Sequence, residues 1–186
     1  MKAVPLTNRE LLRQLFGRVA GTLPGRNPSL KEVFSSCGPL AIKCALAREL
    51  VQRWLDEELR SRLCLSEPSR VREYLNVLFA DQEHESFRVM FLDAQNRLII
   101  CEELFRGTLT QAAVYPREIL KAALRHNAAA VVLAHNHPSG ISQPSQADRH
   151  LTDTLRQALA LVDIQVLDHF IVAGRQSLSF AEHGWL

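Results

Sequence analysis

The 186-residue sequence has no long apolar run, only four cysteines, and no repeated or low-complexity segment. Because no run approaches the ~20 apolar residues that span a bilayer, we expect no membrane segment. Charged residues are scattered through the N-terminus where a signal peptide keeps an apolar centre. The cysteines lack C-x-x-C spacing, which argues against a disulfide scaffold and favours reduced thiols in a cytoplasmic protein.

The hydrophobic fraction of 47% and charged fraction of 23% are typical of a globular protein. Charge is distributed unevenly along the chain. Residues 1–66 carry 11 basic and 6 acidic residues (+5), whereas residues 67–186 carry 11 basic and 14 acidic residues (−3). A basic first third permits contact with nucleic acid, and the acidic remainder has no general attraction for phosphate. We therefore expect the two segments to have different roles.

Residues 1–66 are predicted to form a small all-helical unit. Apolar spacing predicts a helix over 8–20, with Asn8 as its N-cap. Ser29 followed by Glu32 is the capping-box pattern of a second helix, and the pattern is helical again over 41–59. A unit of ~60 residues buries too little surface to be more than marginally stable alone.

Residues 67–186 are predicted to form an α/β domain with a mixed sheet. Strand formers flank a turn to give a hairpin, and the run AAAVVLA has the apolar, β-branched character of a buried central strand. Prolines mark the starts of two helices. The predicted elements are a helix over 68–78, a hairpin over 87–105, a helix over 116–127, a strand over 128–134, a helix over 145–161, and strands over 165–172 and 177–180.

The stretch AHNHPSGISQPSQAD, residues 134–148, follows the central strand. His135 and His137 share one face of an extended segment, because side chains at i and i+2 point the same way. Asp148 falls in the first turn of the next helix, which can direct it back to the histidines. Two imidazoles and one carboxylate suit zinc and leave a position for water.

Each part of this pattern also has a simpler interpretation. An isolated histidine is usually a surface or core residue, and Ser145-x-x-Asp148 is close to an ordinary capping box at a helix start. The combination, placed between a buried strand and a helix, favours a metal site.

The spacing H-x-H-x7-S-x-x-D resembles the signature of the JAB/MPN-type (JAMM) metalloproteases. Together with VYPREIL (114–120) and LDHFIVAG (167–174), it is similar to the bacterial RadC branch over roughly 67–186. The resemblance implies a JAB/MPN-like, cytidine-deaminase-like fold, a mixed β-sheet flanked by helices. It further implies zinc held by His135, His137 and Asp148, with water as the fourth ligand, and hydrolysis of a peptide or isopeptide bond in a protein or peptide substrate.

The resemblance also implies a catalytic glutamate on the first strand of the domain. Glu85 is the matching residue and Glu83 the competitor. Zinc lowers the pKa of its water to about 7, and the glutamate accepts the proton and passes it to the leaving amine. Ser145 would stabilise the oxyanion. We expect Asp168 and His169, on a late strand near the site, to orient the ligating histidines or to pack beside them and not to bind the metal.

Residues 35–53 occupy the place of the helix-hairpin-helix region that precedes the metal domain in RadC-like proteins. The doubled-glycine hairpin is reduced to Cys37-Gly38-Pro39, and proline removes a phosphate-binding N–H. This change argues against DNA binding by the standard hairpin. The alternatives to peptide hydrolysis are DNA contact through the basic residues 1–66 with a DNA-associated accessory role of the RadC type, and a metal-dependent phosphodiesterase. The sequence assigns no oligomeric state.

Overall fold

The computed structural model describes residues 7–17, 29, 39–61, 68–80, 82–107 and 114–186. Contacts between Cα atoms divide the chain into two compact units, Met1–Arg53 and Trp54–Leu186. Among the described helices, none is long and apolar enough to cross a membrane.

The first unit begins with helix α1, Asn8–Phe16. The predicted N-cap, Asn8, is wrong, because Thr7 caps the helix: its side chain accepts from the Glu10 N–H, and Glu10 accepts back from the Thr7 N–H. Only Thr7 has a glutamate three residues later, which a capping box requires. Gly17, at φ 62°, ends the helix before the predicted residue 20.

Helix α2 runs over Pro39–Ser61, so the helix predicted for 41–59 is confirmed and slightly longer. Pro39 lies at its first position, where a missing N–H leaves no hydrogen bond unmade. The predicted second helix after Ser29, and Cys37 and Gly38 of the reduced hairpin, lie outside the described residues.

The second unit holds the predicted hairpin, central strand and flanking helices. Helix starts at Pro68 and Pro116 are confirmed. The described elements are α3 (Pro68–Leu78), β1 (Ser86–Leu92), β2 (Leu98–Arg106), α4 (Pro116–Arg125), β3 (Ala130–Asn136), α5 (Gln146–Ala160), β4 (Gln165–Ala173) and β5 (Gln176–Ser179).

The five strands form one mixed sheet in the order β2-β1-β3-β4-β5. Strand β1 is antiparallel to β2 and β3, β3 is parallel to β4, and β4 is antiparallel to β5. Strand β3 is buried along its whole length, as its apolar sequence predicts. The predicted mixed α/β architecture is confirmed.

Helices cover both faces of the sheet, because alternate residues of each strand point to opposite faces. On one face, α3 and the end of α2 pack against Met90, Val132 and Phe170. On the other face, α4 and α5 pack against Phe87, Val131 and Leu133. His135 continues the second series by two residues, which places it at the edge of the core under α5.

Candidate metal centre

Two histidines converge at the end of β3. His135 is the sixth residue of the strand, and His137 follows it by two positions. Their Nε2 atoms lie 3.0 Å apart. The His137 Nδ1 is 2.7 Å from the Ile141 carbonyl oxygen, which can only accept, so Nδ1 carries the hydrogen. In a neutral ring, the His137 Nε2 lone pair therefore points towards His135.

Asp148 completes the group from the first turn of α5. One carboxylate oxygen, Oδ1, lies 3.3 Å from the His135 Nε2, and Oδ2 lies 3.7 Å from the His137 Nε2. Asp148 also closes a capping box with Ser145, the N-cap of α5. The Ser145 N–H and hydroxyl donate to Asp148 Oδ2 at 2.7 and 2.6 Å, and the Ser145 Oγ accepts from the Asp148 N–H. Because the cap occupies Oδ2, Oδ1 still faces His135, so the capping and ligand interpretations are compatible.

The charge state of Asp148 suits a ligand. Burial alone would raise the pKa of the carboxyl group. The proximity of His135 and the two hydrogen bonds from Ser145 outweigh burial and hold the pKa of Asp148 well below its usual value. The side chain is therefore a carboxylate at neutral pH.

The ligand atoms of the three side chains lie close enough together to share one metal ion. In a tetrahedral site, zinc–nitrogen distances of about 2.0–2.1 Å place neighbouring ligand atoms about 3.3 Å apart. The His135–His137 separation of 3.0 Å and the separation of 3.3 Å between His135 and Asp148 Oδ1 are close to that value. The 3.7 Å from His137 is measured to the other carboxylate oxygen, Oδ2, and one ligand atom from each residue lies within 4.8 Å of the other two. Among the described residues, His135, His137 and Asp148 form the group of ligating side chains that could hold a metal ion.

A third histidine, His169 on β4, lies behind the group. Its Nε2 is 2.9 Å from the His135 Nδ1, and its Nδ1 is 2.6 Å from the Thr152 hydroxyl oxygen. Burial, reinforced by the charges of His135 and His137, lowers the pKa of His169 well below its usual value, although Asp148 acts in the opposite direction. His169 is therefore neutral and touches a candidate ligand directly.

The Asp168 carboxylate bonds to the backbone of β4 and to the end of the sheet, not to the candidate ligands. Its carboxylate accepts from the backbone N–H of His169 at 2.7 Å, from the Ser179 hydroxyl at 2.5 Å and from the Ala181 N–H at 3.0 Å. These bonds join β4 to the end of β5 and to the segment that follows it. Asp168 thus stabilises this edge of the sheet.

Strand β1 passes beside the two histidines. Phe87 pairs with His135 in the antiparallel register, and the two rings stack with centroids 5.9 Å apart. Glu85 directly precedes β1, and extending the alternation of the strand to it would put it on the same face as Phe87. The Glu85 backbone is held there by a 2.8 Å hydrogen bond from the Gly107 N–H. Glu85 is half-buried, whereas Glu83 is exposed.

Asn136 joins this part of β1 to β3. Its side-chain oxygen accepts from the Ser86 N–H at 2.7 Å, and its amide nitrogen donates to the His84 carbonyl at 2.9 Å. The amide thus bridges the two peptide groups that flank Glu85. The residue between the two histidines therefore holds the backbone of Glu85 beside the end of β3.

Replacing Asn136 with alanine should lower the free energy of unfolding by about 2–4 kcal/mol, because each buried group left unpaired costs about 1–3 kcal/mol. Asn136 is only 4% exposed, so water cannot replace the amide freely. Urea denaturation measures the change. The exposed Gln146→Ala serves as control, and an equal effect of the two substitutions would contradict this role of Asn136.

Sequence reasoning missed three neighbours of the site: Phe87, Asn136 and Thr152. Thr152 lies four residues after Asp148, so the helical repeat places both on one face of α5. That spacing was a usable signal. The contacts of Phe87 and Asn136 depend on the register between β1 and β3, which no local pattern defines.

The fold and the site together define an α/β domain with a candidate metal centre at the end of its central strand. The model of the RadC-like JAB domain matches residues 65–185. A UPF0758 protein of Chromobacterium violaceum is 50% identical over 186 residues, which is 100% of this chain and 82% of that protein. A UPF0758 protein of Dechloromonas aromatica is 53% identical over 182 residues, 96% of this chain and 79% of that protein.

A UPF0758 protein of Thiobacillus denitrificans is 62% identical over 138 residues, 74% of this chain and 62% of that protein. The match thus spans less than two thirds of that relative. The chain belongs to the RadC-like JAB domain family, as the motifs at 114–120, 134–148 and 167–174 predicted.

Proposed function

We propose that the chain is a zinc-dependent hydrolase of peptide or isopeptide bonds, with His135, His137 and Asp148 as the zinc ligands. The observation that carries this proposal is the convergence of two imidazoles and one ionised carboxylate, whose ligand atoms lie within 4.8 Å of one another. Family membership supports the same site, because the match includes all three residues.

The donor set favours zinc over other common ions. Magnesium and calcium prefer oxygen ligands, whereas two imidazoles and a carboxylate are typical of catalytic zinc. Three protein ligands leave one position open. In such a site zinc supplies a Lewis acid and a water whose pKa is near 7.

Glu85 is the proposed general base and acid. It would accept a proton from the attacking water and pass it to the leaving amine. Support comes from the β1–β3 register, which pairs Phe87, two residues after Glu85, with His135, and from the Asn136 amide that holds the peptide groups on either side of Glu85. The exposed Glu83 lies two residues further from this edge of the sheet.

Ser145 is proposed to act first on Asp148. Its hydroxyl donates to Oδ2 and its backbone N–H donates to the same atom, which aims Oδ1 at His135. Stabilising an oxyanion would require the Ser145 hydroxyl to turn from Asp148 towards the substrate, which would leave the backbone hydrogen bond in place.

The charge distribution favours a peptide over a nucleic-acid substrate at this site. Residues 67–186, which carry the candidate ligands, have three more acidic than basic residues. The phosphodiester backbone of a nucleic acid is negatively charged and is attracted by a positively charged protein surface. A DNA-associated accessory role of the RadC type is the second candidate. It is favoured by the excess of five positive charges in residues 1–66.

The function is tested by removing the metal. Wild-type protein is assayed on a fluorogenic peptide mixture, an isopeptide-linked peptide and bis(p-nitrophenyl) phosphate. We expect hydrolysis of a peptide or isopeptide bond that a zinc chelator abolishes and added zinc restores. Hydrolysis that persists in the chelator would contradict the zinc mechanism, and cleavage of the phosphodiester alone would contradict the peptide assignment.

A further inference from the structure

A continuous series of hydrogen bonds, two of them buried and one part-buried, joins two of the candidate ligands behind the proposed metal site. It runs from the His135 Nδ1 to His169 over 2.9 Å, and from His169 to the Thr152 hydroxyl over 2.6 Å. The Thr152 hydroxyl in turn donates to the Asp148 backbone carbonyl over 2.6 Å. His135, His169 and Thr152 are each at most 1% exposed, so water does not compete for these bonds.

The direction of every bond in this chain follows from its last member. A backbone carbonyl can only accept, so Thr152 donates its single hydroxyl hydrogen to the Asp148 carbonyl. Thr152 can then only accept from His169, which places a hydrogen on the His169 Nδ1. A neutral His169 ring has a lone pair on Nε2, and the His135 Nδ1 must donate to it.

The result is that His135 is left with a lone pair on Nε2, the atom that faces His137 and Asp148. A histidine can ligate a metal only through an unprotonated nitrogen. The opposite tautomer of His135 would present an N–H to the site. The hydroxyl of Thr152 therefore selects, through His169, the tautomer of His135 that can bind a metal.

We propose that His169, oriented by Thr152, is a positioning residue that fixes the ring and tautomer of His135 and thereby sets the zinc affinity of the site. The inference rests on the proposed zinc function and extends it to two residues outside the ligand set. Groups that orient ligating histidines typically change metal affinity by 10–100-fold when they are replaced.

Aromatic packing allows the hydrogen bonds to be tested separately from ring shape. The His169 ring contacts Phe180 at a centroid distance of 4.8 Å and Phe87 at 5.7 Å. Phenylalanine at position 169 keeps a planar ring between these neighbours and removes the acceptor. Glutamine offers an amide oxygen near the position of Nε2, so it keeps an acceptor for the His135 N–H.

Zinc dissociation constants, measured by competition with a chromophoric chelator, provide the first readout. We expect His169→Phe to weaken zinc binding by about 10–100-fold and His169→Gln to remain within a few-fold of wild type. Thr152→Val should weaken binding, whereas Thr152→Ser, which keeps the hydroxyl, should not. The thermal midpoint of each metal-free variant monitors folding independently.

A double substitution separates the proposed route from a general effect of Thr152 on helix α5. Thr152 is proposed to act through the imidazole of His169. The double variant His169→Gln/Thr152→Val should therefore bind zinc about as tightly as His169→Gln alone. If Thr152→Val weakens zinc binding equally in the wild-type and His169→Gln proteins, Thr152 acts by another route and the proposal is overturned.

The tautomers provide a second readout that simple packing would not change. Long-range 1H–15N correlation spectra of the zinc-bound wild-type protein should show Nδ1–H for both His135 and His169. A His169 ring protonated on Nε2 would overturn the proposal, as would wild-type zinc affinity in His169→Phe. Absence of zinc binding by the wild type would overturn both the proposed function and the role of His169. Tight zinc binding by both the wild type and His169→Phe would overturn only the role of His169, so the two failures are distinguishable.

Discussion

Replacing His137 with alanine is expected to weaken zinc binding by more than a hundredfold. Zinc binding worth 10–16 kcal/mol in four-ligand sites corresponds to about 3 kcal/mol for each ligand, or more than two powers of ten in affinity. His137 is the better choice than His135 because it is partly exposed, so its loss leaves no buried cavity. Competition with a chromophoric chelator measures the change.

The matched control is His150→Ala. His150 lies on α5 two residues after Asp148, and it is exposed. Helical geometry turns it away from the face that Asp148 shares with Thr152. We expect its removal to leave zinc affinity unchanged. Equal affinities of the His137→Ala and His150→Ala proteins would contradict the assignment of His137 as a ligand.

Replacing Glu85 with glutamine is expected to lower the rate of hydrolysis by about 10²–10⁴-fold, the usual contribution of a general acid–base residue. Zinc binding should be retained, because Glu85 is outside the proposed ligand set and glutamine preserves size. Single-turnover rates on the peptide substrate, with zinc content measured on the same samples, separate the chemical step from metal loss.

Glu83→Gln provides the comparison for this prediction. Glu83 has the same side-chain chemistry two residues earlier, but it is exposed, whereas Glu85 is half-buried and directly precedes β1. Its substitution should leave the rate within a few-fold of wild type. Loss of activity in Glu83→Gln with retention in Glu85→Gln would reverse the assignment, and full activity in both would remove this strand from the mechanism.

Much of the α/β fold could be predicted because its signals are local. AAAVVLA is a short apolar run with β-branched residues, and the hairpin has strand formers on both sides of DAQN. The starts of α3 and α4 are marked by prolines. In each case the backbone preference of a few neighbouring residues agrees with the tertiary structure.

Element ends were less predictable because distant contacts determine them. Strand β3 extends to Asn136, two residues beyond the predicted end, since Asn136 pairs with Val172 of β4. The His137 N–H continues this pairing with a 2.8 Å hydrogen bond to the Val172 carbonyl. The first candidate ligand therefore lies on a rigid strand, and the second is held where it leaves the sheet.

The candidate site likewise has features that the local sequence predicts and features that depend on distant contacts. The i, i+2 rule predicted that His135 and His137 share a face, and the structure brings both next to Asp148. The sequence could not indicate that His169, 34 residues away, supports His135, because that contact depends on the parallel pairing of β3 with β4. The place proposed for Glu85 likewise depends on the register of β1 on β3, which no local pattern defines.

Asp148 combines two roles that the sequence presented as alternatives. As the third residue of α5 it completes a capping box, worth about 1 kcal/mol in helix stability. The same hydrogen bonds fix the carboxylate and keep it ionised, which a metal ligand requires. A structural motif thus prepares the proposed ligand.

The central claim, that His135, His137 and Asp148 form a zinc site, is tested most directly by metal content. Wild-type protein is equilibrated with excess zinc, freed of loosely bound metal by gel filtration and measured by inductively coupled plasma mass spectrometry. The proposal predicts one zinc ion per chain, lost in His137→Ala and kept in His150→Ala. A wild-type protein that retains no zinc would contradict it.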